Sequence, residues 1–163
     1  MTETPVSSCV ACRTFCRDKF IIREANQDDY RDICSLINNE LGYPNVEIND
    51  LTSRTEMMNN DKNYRTFVAL SDNKVVGFIG TVQGIAFETN GGFIRIIALA
   101  VSKKHQNKGI GSYLLKHVEK FAGSIGISAF ALNSGFKRLE THAFYEHNGY
   151  VKKSYGFSKD IIK

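Results

Sequence analysis

The chain has 163 residues, 42% hydrophobic and 23% charged, an ordinary globular balance with length enough for one domain and a sizeable core. A formal net charge of +4 suits a small anionic ligand, but no dense Lys/Arg stripe interleaved with aromatic residues appears, which argues against nucleic acid as a partner. No stretch reaches the ~18 apolar residues of a membrane helix, and residues 1–8 are polar with no apolar central run, so a cytoplasmic protein without membrane association is expected.

Regular hydrophobic patterning begins at Phe20, so residues 1–19 read as an appended tail and residues 20–163 as the domain. Cys9, Cys12 and Cys16 crowd the tail with no His or fourth Cys near them, whereas a structural zinc site takes four ligands; free thiols and no metal are expected. Phe20-Ile21-Ile22 reads as a short strand. Asn26 is placed to cap a helix over residues 27–40, where Tyr30, Ile33, Ile37 and Leu41 recur at helical spacing and Cys34 reads as a small buried side chain. A second helix over residues 48–59 turns Leu51, Met58 and Met57 inward.

Residues 66–70 and 74–83 pattern as two strands around an Asp72-Asn73 turn, a hairpin. Residues 93–101 are nearly all apolar, which predicts a strand covered on both faces. Ile110, Leu114, Val118 and Phe121 mark one face of a helix over residues 109–122. A strand over residues 125–132, a helix over 138–147 stopped by Asn148-Gly149, and a final strand or strand pair over 150–159 complete the order. Such a series gives a mixed α/β (α+β) fold with helices on both faces of one sheet, unlike the regular alternation of a dinucleotide-binding fold.

The most informative segment joins the strand ending Leu99-Ala100-Val101 to the helix that opens at Gly109. A helix start exposes unpaired backbone N–H groups at the positive end of its dipole, and glycines at 109 and 111 let a phosphate approach that backbone. Gln106 and Asn107 add neutral donors and Lys108 adds charge, so residues 106–112 read as a pyrophosphate cradle. The Walker-type loop and the G-x-G-x-x-G fingerprint are both absent.

Gln106-x-x-Gly109-x-Gly111, following that strand, resembles the Q/R-x-x-G-x-G/A signature of the GNAT superfamily, the GCN5-related N-acetyltransferases. His142-Ala143-Phe144-Tyr145-Glu146-His147-Asn148-Gly149-Tyr150 is similar to the family's late helix, with its Phe-Tyr pair and Gly-aromatic step. The resemblance spans nearly everything from Phe20 to Lys159 and implies a three-layer α-β-α fold around a mixed, mostly antiparallel sheet. It also implies acetyl-CoA as co-substrate and an amine that attacks the thioester directly in a ternary complex.

By the same resemblance, the backbone of Leu99, Ala100 and Val101 pairs with the pantetheine arm, and Gln106, Asn107, Lys108, Gly109, Ile110, Gly111 and Ser112 hold the pyrophosphate. Asn133 and His142 fall where cofactor contacts are expected, and Tyr145 matches the general acid for the leaving thiolate. Asn133 also reads as a turn residue, and His142 as a surface residue or one that orients Tyr145. Relatives often carry a carboxylate in the strand before the phosphate loop; here Ile97 stands there and Arg95 is the strand's one charge. Glu40, Glu47, Glu56 and Glu88 are then base candidates beside a water chain, and Arg95 either pairs with a buried carboxylate, the favoured reading, or binds an anionic group of the substrate.

The acceptor read from sequence is the primary amine of a small molecule. Acidic groups at Glu40, Glu47, Asp50 and Glu88 point to a cationic one, a polyamine or an aminoglycoside. Protein or peptide N-acetylation and a non-catalytic acetyl-CoA sensor are the alternatives, and a homodimer accords with the family's habit of pairing.

Overall fold

The computed structural model describes residues 20–88 and 90–161, so the cysteines of the tail lie outside the described residues. Five strands form one sheet in chain order: β1 (Phe20–Glu24), β2 (Tyr64–Ser71), β3 (Lys74–Gly84), β4 (Phe93–Val101) and β5 (Phe130–Leu132). The first three pairings are antiparallel and β4–β5 is parallel. Helices α1 (Tyr30–Glu40) and α2 (Ile48–Asn59) cover one face; α3 (Ile110–Ser124) covers the other, and α4 (Leu139–His147) adds Phe144 and Tyr145 to its core. The result is the expected three-layer architecture.

Strand alternation feeds both cores. Phe67, Ala69, Ile79, Ile94 and Ile96 pack against Ile110, Leu114, Leu115 and Val118 of α3. Val68, Phe78 and Ala100 pack the other way, against Tyr30, Ile33, Cys34 and Leu36 of α1 and Leu51 of α2. Each fully buried Leu or Ile contributes about 1.5–3 kcal/mol, so these two layers dominate the stability. The helix predicted from residue 27 begins as a 3-10 turn at Gln27–Asp29. Asn26 caps it through Asp28 N at 3.0 Å, and Asp29 accepts from Asn26 N at 2.8 Å and from both terminal nitrogens of Arg23 at 2.6 and 2.8 Å. Burial pushes the Asp29 carboxyl up, but these donors outweigh it and hold the group below the usual carboxylate range.

Four expectations change. The second helix turns Leu51 and Thr55 inward, whereas Met57 is 73% exposed, because the buried stripe of this polar helix is only a residue wide. β4 is covered on both faces only toward its end: Arg95 and Ile97 are exposed, since α1 reaches Ala98 and Ala100 but not the start of the strand. β5 shrinks to three residues, because Gly126 takes a positive φ and Ile127 is drawn into the α3 core by bonding back to Ala122 O. No strand forms over residues 150–161; Tyr150 is half-buried against the α3 core, and the exposed residues 151–161 place Tyr155 against Phe136 and Gly156 against Asn133.

Candidate functional site

The site begins with an irregularity in β4. Gly80 pairs with Ala98 and Thr81 with Ile96, so Ile97 is an extra, bulged residue. β5 pairs only with residues 94–96, and beyond the bulge β4 runs on to Val101 with β3 on one side and no strand on the other. Apart from Val101 O, which accepts from Gln106 Nε2, the backbone of residues 98–101 therefore presents a free edge at the interior of the sheet, where an extended ligand arm can pair as a strand would.

That edge leads into the start of α3. Asn107 (φ 61) and Gly109 (φ 82) are left-handed, which folds the loop tightly back before the helix. Tyr113 is the first amide to bond back, to Gly109 O at 3.0 Å, and no side chain caps the helix. The N–H groups of Ile110, Gly111 and Ser112 are thus left open to an anion. Gly109 takes the left-handed backbone angle that glycine adopts without strain. Gly111 has another reason to be glycine: a Cβ there would sit 2.9 Å from the Phe144 ring, so its absence lets α4 pack against the first turn of α3. That packing brings the helix carrying Tyr145 beside the loop.

Tyr145 is half-buried, edge-on to Phe144 and Tyr150. Burial pushes its phenol up to about 12, with Arg138 pulling weakly the other way. It stays protonated at any ordinary pH, so it can donate its hydroxyl proton in a hydrogen bond but does not serve as a phenolate base.

The remaining predicted residues divide. Asn107 and Lys108 are exposed at the loop, as a phosphate contact requires. Gln106 is exposed but already engaged: its Nε2 donates to Val101 O at 2.9 Å and to Glu40 Oε2 at 3.4 Å. Glu40 Oε1 also accepts from Lys103 N at 3.0 Å, so the last residue of α1 holds the loop in place. The carboxylate that the sequence offered as a candidate base is thus a structural tie. His142 Nε2 is bonded to Gly135 O at 3.0 Å and shapes the turn after β5. Asn133 is exposed beside Gly156.

Sequence reasoning missed three parts. Asn38 clamps the α1–α2 loop by accepting from Val46 N at 3.0 Å and donating to Val46 O at 3.1 Å. Arg138 donates to Leu41 O at 2.7 Å across a cleft of about 570 Å³ between the end of α1 and the start of α4. Ser134, just past β5, buries its Oγ with no hydrogen-bond partner among the described residues. None of these contacts has a local pattern to announce it. Among the described residues no group of three or more His, Cys, Asp or Glu is placed to hold a metal ion, and no helix is long and apolar enough to cross a membrane.

Comparison with known proteins agrees with this arrangement. A solved GNAT family acetyltransferase of Staphylococcus aureus is 30% identical and superposes with a TM-score of 0.74, covering 87% of this chain and 98% of that one. The aminoalkylphosphonate N-acetyltransferase of Salmonella typhimurium is 28% identical over 144 residues, 86% of this chain and 90% of the relative. Human N-acetyltransferase 8 is 29% identical over 120 residues, 70% of this chain but 53% of the relative, so the chain spans about half the length of that human protein. The model of the acetyltransferase (GNAT) family matches residues 23–150, and with the split sheet and the uncapped helix behind it the chain belongs to that family of N-acetyltransferases.

Proposed function

We propose that the chain transfers the acetyl group of acetyl-CoA to the primary amine of a small molecule, by direct attack while both are bound. The observation that carries this reading is the continuity of the free edge at residues 98–101 with the uncapped start of α3. A pantetheine arm fits the first and a pyrophosphate the second. Acetyl-CoA supplies an acetyl thioester there. Leu99 and Val101 hold the arm by backbone pairing, the amides of Ile110, Gly111 and Ser112 hold phosphate oxygens, and Lys108 adds charge at the rim. Tyr145 donates a hydrogen bond to the departing sulfur. An alkylamine has a pKa near 10.4, so about one molecule in 2,500 is neutral at pH 7, and the proton leaves through water. The small-molecule acceptor is supported by two relatives named for such amines, an aminoalkylphosphonate and an aminoglycoside enzyme, the latter matched in fold. A cytoplasmic setting belongs to the same reading.

The test combines binding with turnover. Acetyl-CoA at 100 times its Kd should stabilise the protein by about 2.7 kcal/mol in a thermal-shift titration, and free CoA thiol should appear with small primary amines. Stabilisation without thiol release from any small amine or peptide would identify a sensor, and turnover of peptides alone would remove the small-molecule acceptor.

The tie at Glu40 makes a separate expectation. Glu40→Ala removes two hydrogen bonds that fix the phosphate loop, so the KM for acetyl-CoA should rise about tenfold with kcat little changed. Glu40→Gln, which keeps an acceptor for Lys103 N, should recover part of the loss in initial-rate measurements.

A further inference from the structure

The pairing registers line up Tyr64, Val82, Arg95 and Ala131 across β2, β3, β4 and β5, on the face that carries α1 and α2. Arg95 is the only charged residue in that row. The favoured sequence reading gave it a buried carboxylate. Instead its guanidinium is exposed and has neither ion pair nor hydrogen bond among the described residues. The other sheet arginines are engaged: Arg23 with Asp29, Arg65 with Glu24 and Tyr64 O.

The location gives this free fork a use. Phosphates at the start of α3 fix one end of the cofactor, and its arm runs back along β4 from Val101 toward the bulge at Ile97. The thioester end therefore arrives next to the exposed part of β4. Arg95 lies about 10 Å along the strand from Ala98, on the open side from which an acceptor must come. Of the acidic acceptor contacts expected from sequence, Glu40 is already tied to Lys103 N and Gln106.

Resting on the acetyltransferase reading above, we propose that the acceptor is a short amine that also carries an oxyanion, a carboxylate or a phosphonate, and that Arg95 binds the oxyanion. A guanidinium offers paired N–H donors that match either group in a bidentate contact. This reverses the polyamine and aminoglycoside expectation.

The experiment measures CoA thiol release from acetyl-CoA with matched acceptors: ω-amino acids, aminoalkylphosphonates, amino alcohols of equal length, and diamines. Oxyanion-bearing amines should exceed the amino alcohols in kcat/KM by about tenfold or more. Arg95→Ala should abolish that preference by raising their KM, leaving amino alcohol turnover and the thermal shift with acetyl-CoA unchanged, and Arg95→Lys should restore part of it. The carboxylate and phosphonate arms decide which oxyanion is preferred. A preference for diamines or amino alcohols in the wild-type protein, or an oxyanion preference that survives in Arg95→Ala, overturns the inference while the acetyltransferase reading stands. Failure of every amine with acetyl-CoA bound overturns both.

Discussion

Replacing Tyr145 by Phe is expected to lower kcat by about 10- to 100-fold while the KM for acetyl-CoA and the melting temperature stay close to the wild-type values. The ring contacts with Phe144 and Tyr150 survive the change, so packing is preserved and only the hydroxyl is lost. The size of the effect follows from what the hydroxyl can do. Its pKa of about 12 lies roughly 3.5 units above a simple thiol, so full proton transfer to the leaving thiolate is uphill by about 5 kcal/mol. A hydrogen bond donated to the developing thiolate needs no transfer and is worth about 1.5–3 kcal/mol, and that term governs. The pH profile carries the second half of the expectation. A group that stays protonated to about pH 12 produces no alkaline fall in rate below pH 10, and the rate should rise with the fraction of neutral amine. An alkaline limb near pH 9 that disappears in Tyr145→Phe would show a phenol tuned toward the thiol instead.

Gly92→Ala should be the most destabilising of the small substitutions, by about 3 kcal/mol. Gly92 has a φ of +74, and an added Cβ would collide with the carbonyl oxygen of Gly84. The left-handed angle costs about 1–2 kcal/mol for an alanine, and relieving the backbone clash costs about 1–3 kcal/mol more. The position matters because Gly84 pairs with Phe93, so the two glycines frame the β3–β4 connection and set the register of β4. At about 2–4 °C per kcal/mol for a chain of this size, the midpoint of thermal unfolding should fall by about 6–12 °C. Gly123→Ala is the control. That glycine lies within α3 with nothing within 4 Å of its would-be Cβ, so alanine should stabilise by up to about 1 kcal/mol. A neutral Gly92→Ala would mean that the loop can relax without moving β4.

Much of the fold is written locally. The Asp72-Asn73 hairpin turn is legible because Asn and Asp tolerate the positive φ values, 50 and 61, that a two-residue turn requires. The α1 and α3 stripes are legible because apolar residues three and four apart share a helix face. Where prediction failed, the local signal was ambiguous. The apolar run at residues 125–132 reads as strand throughout, yet most of it serves to leave α3 and enter its core. The aromatic, β-branched C-terminal segment reads as strand as well, but residues 150–161 pair with no neighbour, and a strand without a partner cannot form.

The candidate site divides in the same way. By itself the sequence determined the candidate phosphate loop: a polar turn, glycines 109 and 111 and an amphipathic helix lie within a dozen residues, so chain connectivity alone brings them together. It also determined that no carboxylate stands at Ile97. Only the tertiary structure decided what surrounds that loop. Glu40 and Gln106 meet across 66 positions of sequence, Arg138 and Leu41 across 97, and Gly111 is glycine because Phe144 packs over it. It also decided that Arg95 is left without a partner among the described residues, because pairing depends on which side chains the sheet and its helices bring within hydrogen-bond distance, and that is set by packing across the whole domain.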